Sequence, residues 1–211
     1  PDNDSRLVQS PINIITDSAG SGNHKIVNNL GPSMEHIANL EHTLEVEYDP
    51  GSSVSFDENK YSFRSFHFHT PAEHLIDGIT YPMEMHLVHT FRNKDEEIRW
   101  YFVISVLFKI GKRNSLIQEI LDNAPQSAGD TAHLGNSHID VSEMVDEELQ
   151  DYYHYEGSLT TPPYTETVHW AVSGHILEAS SDQIARMNEI EGNNARHIQS
   201  VNGRRIEFIH Q

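Results

Sequence analysis

Between Arg64 and His89 the chain alternates twice between apolar and polar positions. Phe66 and Phe68 fall on one side of a predicted strand and His67 and His69 on the other, because successive side chains of an extended chain point to opposite faces. Asp77-Gly78 supplies a turn signal. A second run then places Glu84, His86 and Val88 on one face and Met83, Met85 and Leu87 on the other. Thr43 to Tyr48 alternates cleanly up to Asp49-Pro50-Gly51 and is predicted as a half-buried strand. Glu97 to Ile110 is the most apolar run, and its β-branched and aromatic residues predict a central strand buried on both faces. Short helices are predicted from Ser115 to about Asp122, from Ser142 to Leu149 and from Ser181 to Ile190. The first carries a capping-box pattern, Ser115 with Gln118 three residues on. Residues 1–29 read as irregular, with the Ser10-Pro11 bond open to either isomer.

Composition narrows the function classes. A chain of 211 residues without a composition shift or a Gly/Ser linker reads as one domain spanning 1–211. The formal net charge of -18, from 32 acidic against 14 basic residues, argues against nucleic-acid phosphate or an anionic membrane as partner. No apolar run approaches the roughly 20 residues of a membrane helix, which predicts no membrane insertion. No signal peptide is read at Pro1, and a start without methionine reads as processed, trimmed or truncated. With no cysteine there is neither a disulfide nor a thiolate metal site, and the compartment stays undecided.

The two imidazole-bearing strands are the candidate chemistry. Aimed at one point, His67, His69 and His86 supply three neutral nitrogen ligands, and the open fourth position of such a zinc site holds a reactive water. Glu84 shares the face of His86 and can accept a hydrogen bond from the ring nitrogen not turned to the metal. A His-x-His pair is a weak signal among 15 histidines, and the second alternating strand strengthens it. His42, beside Glu41, reads on its own as a solvated surface histidine. The loop from Gly157 to Pro163, stiffened by two prolines, is either a structural corner or a positioned site.

These stretches together resemble the α-class carbonic anhydrases, most closely the bacterial members. The resemblance covers nearly the whole chain: Gln9 to Ile14, Phe66 to His69, the compact Thr70-Pro71-Ala72-Glu73-His74 link, Glu84 to His89, Gly157 to Pro163, Asn194-Ala195-Arg196 and Asn202-Gly203-Arg204. It implies an α+β, mainly β architecture: a central, mostly antiparallel twisted sheet, short peripheral helices, and zinc at the base of a conical pocket. It implies Zn2+ on His67, His69 and His86, with Glu84 behind the third ligand, and reversible hydration of carbon dioxide to bicarbonate. Thr160 matches the gatekeeper threonine and Glu73 the carboxylate that receives its proton. Val88, Val103, Leu159, Val168 and Trp170 match the apolar wall that receives carbon dioxide, and Thr161 the position that orders water and bicarbonate. The shuttle histidine falls on His42, which overturns the surface reading of that residue.

Some positions depart from the family. Ser65 stands where a glutamine commonly supports the first ligand. Leu40 and Glu45 replace asparagines that order water beside the shuttle, and the aromatic amino-terminal segment with its pocket tyrosine is missing. Tyr164 stands where many bacterial members close a disulfide. The resemblance further suggests a periplasmic or secreted protein and a homodimer. A catalytically inactive carbonic anhydrase-like binding module is the alternative, and ester hydrolysis is expected only as a side activity. The histidines lack the spacing of a helical metalloprotease motif.

Overall fold

The computed structural model describes residues 7–211, so positions 1–6 of the stretch expected to be irregular lie outside the described residues. In chain order the strands are β1 (Asn13–Ile14), β2 (Gly20–Ser21), β3 (Ile26–Asn29), β4 (Ser33–Asn39) and β5 (Leu44–Glu47). Then come β6 (Ser53–Phe56), β7 (Asn59–His69), β8 (Leu75–Ile76), β9 (Ile79–Thr80), β10 (Met83–Arg92) and β11 (Ile98–Ile110). The last are β12 (Thr131–Ile139), β13 (Asp151–Gly157), β14 (Val168–Ala179) and β15 (Glu207–His210). Three helices, α1 (Ser115–Asn123), α2 (Ser142–Glu148) and α3 (Ser181–Glu191), are interleaved.

One large sheet runs β12-β4-β5-β7-β10-β11-β14-β13-β15-β2, with β6 beside β7 and β3 beyond it. Its pairings are antiparallel except β11 with β14 and β15 with β2. The mainly β, mostly antiparallel architecture expected from the sequence is what the chain adopts. Phe66, Phe68, Met83, Met85, Leu87, Phe102 and Ile104 bury one face together with Ile117 of α1 and Met187 of α3. Val103, Leu107, Val168, Trp170 and Val172 bury the other face with Ile12 and Ile14. β11 therefore contributes to both cores, as its unbroken apolar run predicts. Each fully buried side chain of this size contributes about 1.5–3 kcal/mol of transfer free energy, so the central strands are the best-anchored part of the molecule.

Local departures from the sequence reading have plain causes. α1 is capped by Asn114, whose Oδ1 accepts the Ile117 N–H at 3.1 Å, because Ser115 is already helical. α3 has the capping box, with Ser180 and Gln183 exchanging bonds. Part of the expected irregular start forms β1, β2 and β3. Strands of two to four residues have no period to read, and these exist by pairing with β8, β15 and β6. Asp77 (φ 51) and Gly78 (φ 78) turn the short β8–β9 hairpin inserted between the two histidine strands. The Ser10-Pro11, Thr70-Pro71 and Pro162-Pro163 bonds are cis.

Candidate metal centre

The site follows from one strand pairing. β7 and β10 run antiparallel with His67 opposite His86 and His69 opposite Glu84, which puts all four side chains on one face. The ring centroids of His67, His69 and His86 lie 4.6–5.4 Å apart, and one nitrogen of each ring lies within 4.8 Å of the others. Burial pushes all three pKa values down, that of His69 to about 4, so the rings are neutral at pH 7 and offer lone pairs. His86 Nε2 lies 2.6 Å from Glu84 Oε1, which commits that nitrogen to the carboxylate and leaves Nδ1 for a ligand. His67 Nδ1 and both nitrogens of His69 are buried with no hydrogen-bond partner among the described residues. Orphaned neutral nitrogens in a cluster of this size fit a cation such as zinc.

Glu84 is the electrostatic anchor. Its Oε2 accepts the backbone N–H groups of Glu73 (2.7 Å) and His74 (2.8 Å), and its Oε1 accepts the Ser105 hydroxyl at 2.6 Å. Burial alone raises a carboxyl pKa, but the His74 and His86 rings and their hydrogen bonds hold Glu84 well below the usual range. His74 Nδ1 sits 2.6 Å from Glu84 Oε1, and its Nε2 sits 2.6 Å from the Tyr155 hydroxyl. That hydroxyl donates to Ser10 Oγ at 3.0 Å, and Ser10 Oγ accepts the Ser158 N–H at 3.1 Å. A buried chain of hydrogen bonds thus links the metal face to the loop after β13. Sequence reasoning missed His74, Ser105, Tyr155 and Ser10 as parts of the site. The available signals were the His beside Glu73 and the lone hydroxyl of Ser105 in an apolar strand, directly opposite His86.

Glu73 reaches the same face from the β7–β8 link. Its Oε1 accepts the Arg196 N–H at 2.8 Å, and its Oε2 lies 3.6 Å from His69 Nε2 and 3.9 Å from His86 Nδ1. Burial raises its pKa, while the His86 ring and hydrogen bonds from Arg196 and Thr160 pull the other way. Val103, Val168 and Trp170 are buried in one apolar cluster with Leu159 packed against them. Trp170 stands edge-on to His86 at 4.9 Å and donates from Nε1 to the Ser158 carbonyl at 3.1 Å. Val88, half-buried, pairs with Val103 on one side and Ser65 on the other.

The Ser65 hydroxyl lies beside Glu45, and His67 Nδ1 has no hydrogen-bond partner among the described residues. Thr161 is exposed beside buried Thr160. His42 occupies the β4–β5 turn with its side chain 77% exposed and Nε2 4.0 Å from Glu41 Oε1. Asn194 ties this turn to the end of β7, donating to the carbonyls of His42 (2.8 Å) and Phe68 (3.1 Å).

The sequence profile of eukaryotic-type carbonic anhydrases matches residues 3–210. This chain belongs to that carbonic anhydrase family. A carbonic anhydrase of Nostoc sp. is 35% identical over 202 residues, covering 94% of this chain and 74% of the relative. One of Neisseria gonorrhoeae is 36% identical over 200 residues, covering 93% and 75%. Among solved structures, the α-carbonic anhydrase of Thermovibrio ammonificans in complex with sulfanilamide superposes with a TM-score of 0.86 at 32% identity, covering 95% of this chain and 87% of that one. Kinship and fold make this chain an enzyme of the carbonic anhydrase class and support carbon dioxide hydration.

Proposed function

We propose that this carbonic anhydrase converts carbon dioxide and water to bicarbonate and a proton at a zinc ion held by His67, His69 and His86. The observation that carries this reading is the convergence of three neutral imidazoles within 4.8 Å, with the second nitrogen of His86 already committed to Glu84. When bound, zinc supplies a Lewis acid that lowers the pKa of a coordinated water from about 16 to about 7. Glu84 fixes the His86 tautomer, keeping the proton on Nε2 and the lone pair on Nδ1. Glu73, in its ionised form, accepts a hydrogen bond from the Thr160 hydroxyl, which keeps its own proton turned away from the reacting water. The Thr160 oxygen then accepts a hydrogen bond from the attacking water and fixes its orientation. Val88, Val103, Leu159, Val168 and Trp170 offer carbon dioxide, which has no dipole, a dry apolar surface, and Thr161 orders water and bicarbonate at the rim. His42, exposed at its turn, passes the product proton to buffer.

The same reading takes residues 1–211 as one catalytic domain and, by kinship with bacterial carbonic anhydrases, a homodimer in the periplasm or outside the cell. No helix among the described residues is long and apolar enough to cross a membrane. The deciding experiment is stopped-flow carbon dioxide hydration against pH on the zinc-loaded protein. The rate should rise through an apparent pKa near 7 and vanish on chelation. No hydration above buffer with a stoichiometric metal bound would overturn the proposal and favour an inactive binding module.

A further inference from the structure

A second imidazole cluster lies on the opposite face of the sheet. Along β13, Tyr155 joins the apolar cluster around Trp170, while His154 points the other way and packs at 5.1 Å from Phe56 in the main core. Glu207 on β15 is its cross-strand partner, and His24, just before β3, closes the group with its ring 4.3 Å from that of His154. His24 Nε2 lies 3.1 Å, and His154 Nδ1 3.7 Å, from the same oxygen, Glu207 Oε2. The three candidate ligand atoms all lie within 4.8 Å of one another. Ligands about 2.0–2.1 Å from a tetrahedral zinc ion stand roughly 3.3 Å apart, and the two distances to Glu207 Oε2 bracket that value.

The surrounding groups complete the pattern. His24 Nδ1 lies 2.5 Å from Asp57 Oδ2, and His154 Nε2 lies 3.3 Å from His169 Nδ1. Each ring thus has an acceptor on the nitrogen away from Glu207, the arrangement that fixes tautomers around bound metal. Arg205 holds the other oxygen of Glu207 at 2.9 Å, which leaves Oε2 as a single ligand. A proton alone accounts for His24, as an imidazolium between two carboxylates. It does not account for His154 Nδ1, which is buried without a hydrogen-bond partner among the described residues. His154 and Glu207 also line a cavity of about 240 Å³ with Val8, Glu156, Arg204 and Arg205.

We propose that His24, His154 and Glu207 form a second divalent-cation site, of the nitrogen-and-oxygen class that suits Zn2+, separate from the three-histidine centre. The ion would tie β13, β15, the segment entering β3 and the β6–β7 turn, a staple in a chain without cysteine. Zinc alone is the probe. After equilibration with zinc-buffered solution, the full chain should hold two equivalents, and the second should raise the melting temperature. Glu207→Gln and His24→Gln should each hold one equivalent, while His175→Gln, at a surface histidine beside Asp151, should keep two. A single equivalent in the unaltered chain, or a second equivalent that persists in both variants, overturns the proposal. Loss of the first equivalent as well marks a misfolded variant, and the other variant then decides. Nitrogen chemical shifts of His24 and His154 in the unaltered chain give a readout free of substitution: they should move with the second equivalent, and unmoved shifts overturn the site.

Discussion

The two imidazole clusters sit on opposite faces of one sheet and share a device, a ring nitrogen held by a carboxylate, yet they are assembled over very different distances. His67, His69, Glu84 and His86 come from two adjacent strands, and a single antiparallel register places all of them. His24, His154 and Glu207 meet only when the ends of the chain reach the same edge. His154 and Glu207 become partners through the β13–β15 pairing, and His24 is delivered by close packing at Gly22. A Cβ on Gly22 would lie 2.9 Å from the Glu207 Cβ, so any larger residue there displaces one side of the cluster. The first cluster is therefore as stable as the central strands, while the second depends on short edge strands, which open at lower free energy.

Acid should test that difference most strongly. Burial pushes down the pKa of His67, His69 and His86 in the first cluster and of His154 and His169 in the second, with His69 at about 4 and His154 at about 3. His89, outside both clusters, is at about 3 for the same reason. Each folded pKa lies below the unfolded value near 6.5, so the unfolded chain binds more protons in between and stability is lost as pH falls from about 6.5 towards 4. A histidine of this kind contributes about 1.4 kcal/mol per pH unit in that window. Glu191, raised by burial to about 8, has the opposite sign, as do Glu45, Glu73 and Glu148, also raised by burial. His24, raised against its burial by its bonds to Asp57 and Glu207, acts in the same direction, and together they offset part of this loss. Urea unfolding of the zinc-free protein should therefore show a net loss of stability between pH 7 and 5. His154→Gln should make the slope shallower without altering zinc at the first cluster. A flat profile would break the assignment of neutral buried imidazoles to both regions.

Glu84→Gln is expected to have the next largest effect. The amide keeps one acceptor but cannot hold two imidazoles and a hydroxyl as the carboxylate does. Zinc affinity at the first cluster should fall about 10- to 100-fold, measured by competition with a chromophoric chelator. Unchanged affinity would mean that the β7–β10 register alone, and not the carboxylate, orients His86.

This contrast also explains what the sequence could reveal. The alternation of Phe66, His67, Phe68 and His69, and of Met83 through Leu87, encodes which face each side chain takes, because the period of two needs no knowledge of the rest of the fold. Ser105, His74, Tyr155 and Ser10 escaped notice because their role is to meet Glu84 or one another across the sheet, with Tyr155 and Ser10 separated by 145 residues. The second cluster was invisible for the same reason, His24 and Glu207 being 183 residues apart. Family likeness supplied Thr160, Glu73 and the apolar wall, which no local pattern marks. It also marked Ser65 as a departure from the glutamine that commonly supports the first ligand, and the structure sets its hydroxyl beside Glu45.

The smallest expected effect concerns His42, the one candidate catalytic group that neither face of the sheet holds. Its ring is 77% exposed, and Asn194 fixes only its backbone carbonyl. A side chain so loosely placed pre-organises little of a proton path, and Glu45 near that path is a half-buried carboxyl whose pKa burial raises. His42→Ala should therefore lower the maximal hydration rate in dilute buffer by less than the roughly 10²-fold that marks the low end for a positioned acid–base group. Added imidazole should restore the rate, since a diffusing base can take a proton from an open turn. Stability and zinc content should not change, because the ring has no buried contact to lose. A deficit that imidazole does not relieve would place His42 among the structural supports of the β4–β5 turn and move the proton path elsewhere, whereas full rescue confines its role to proton export.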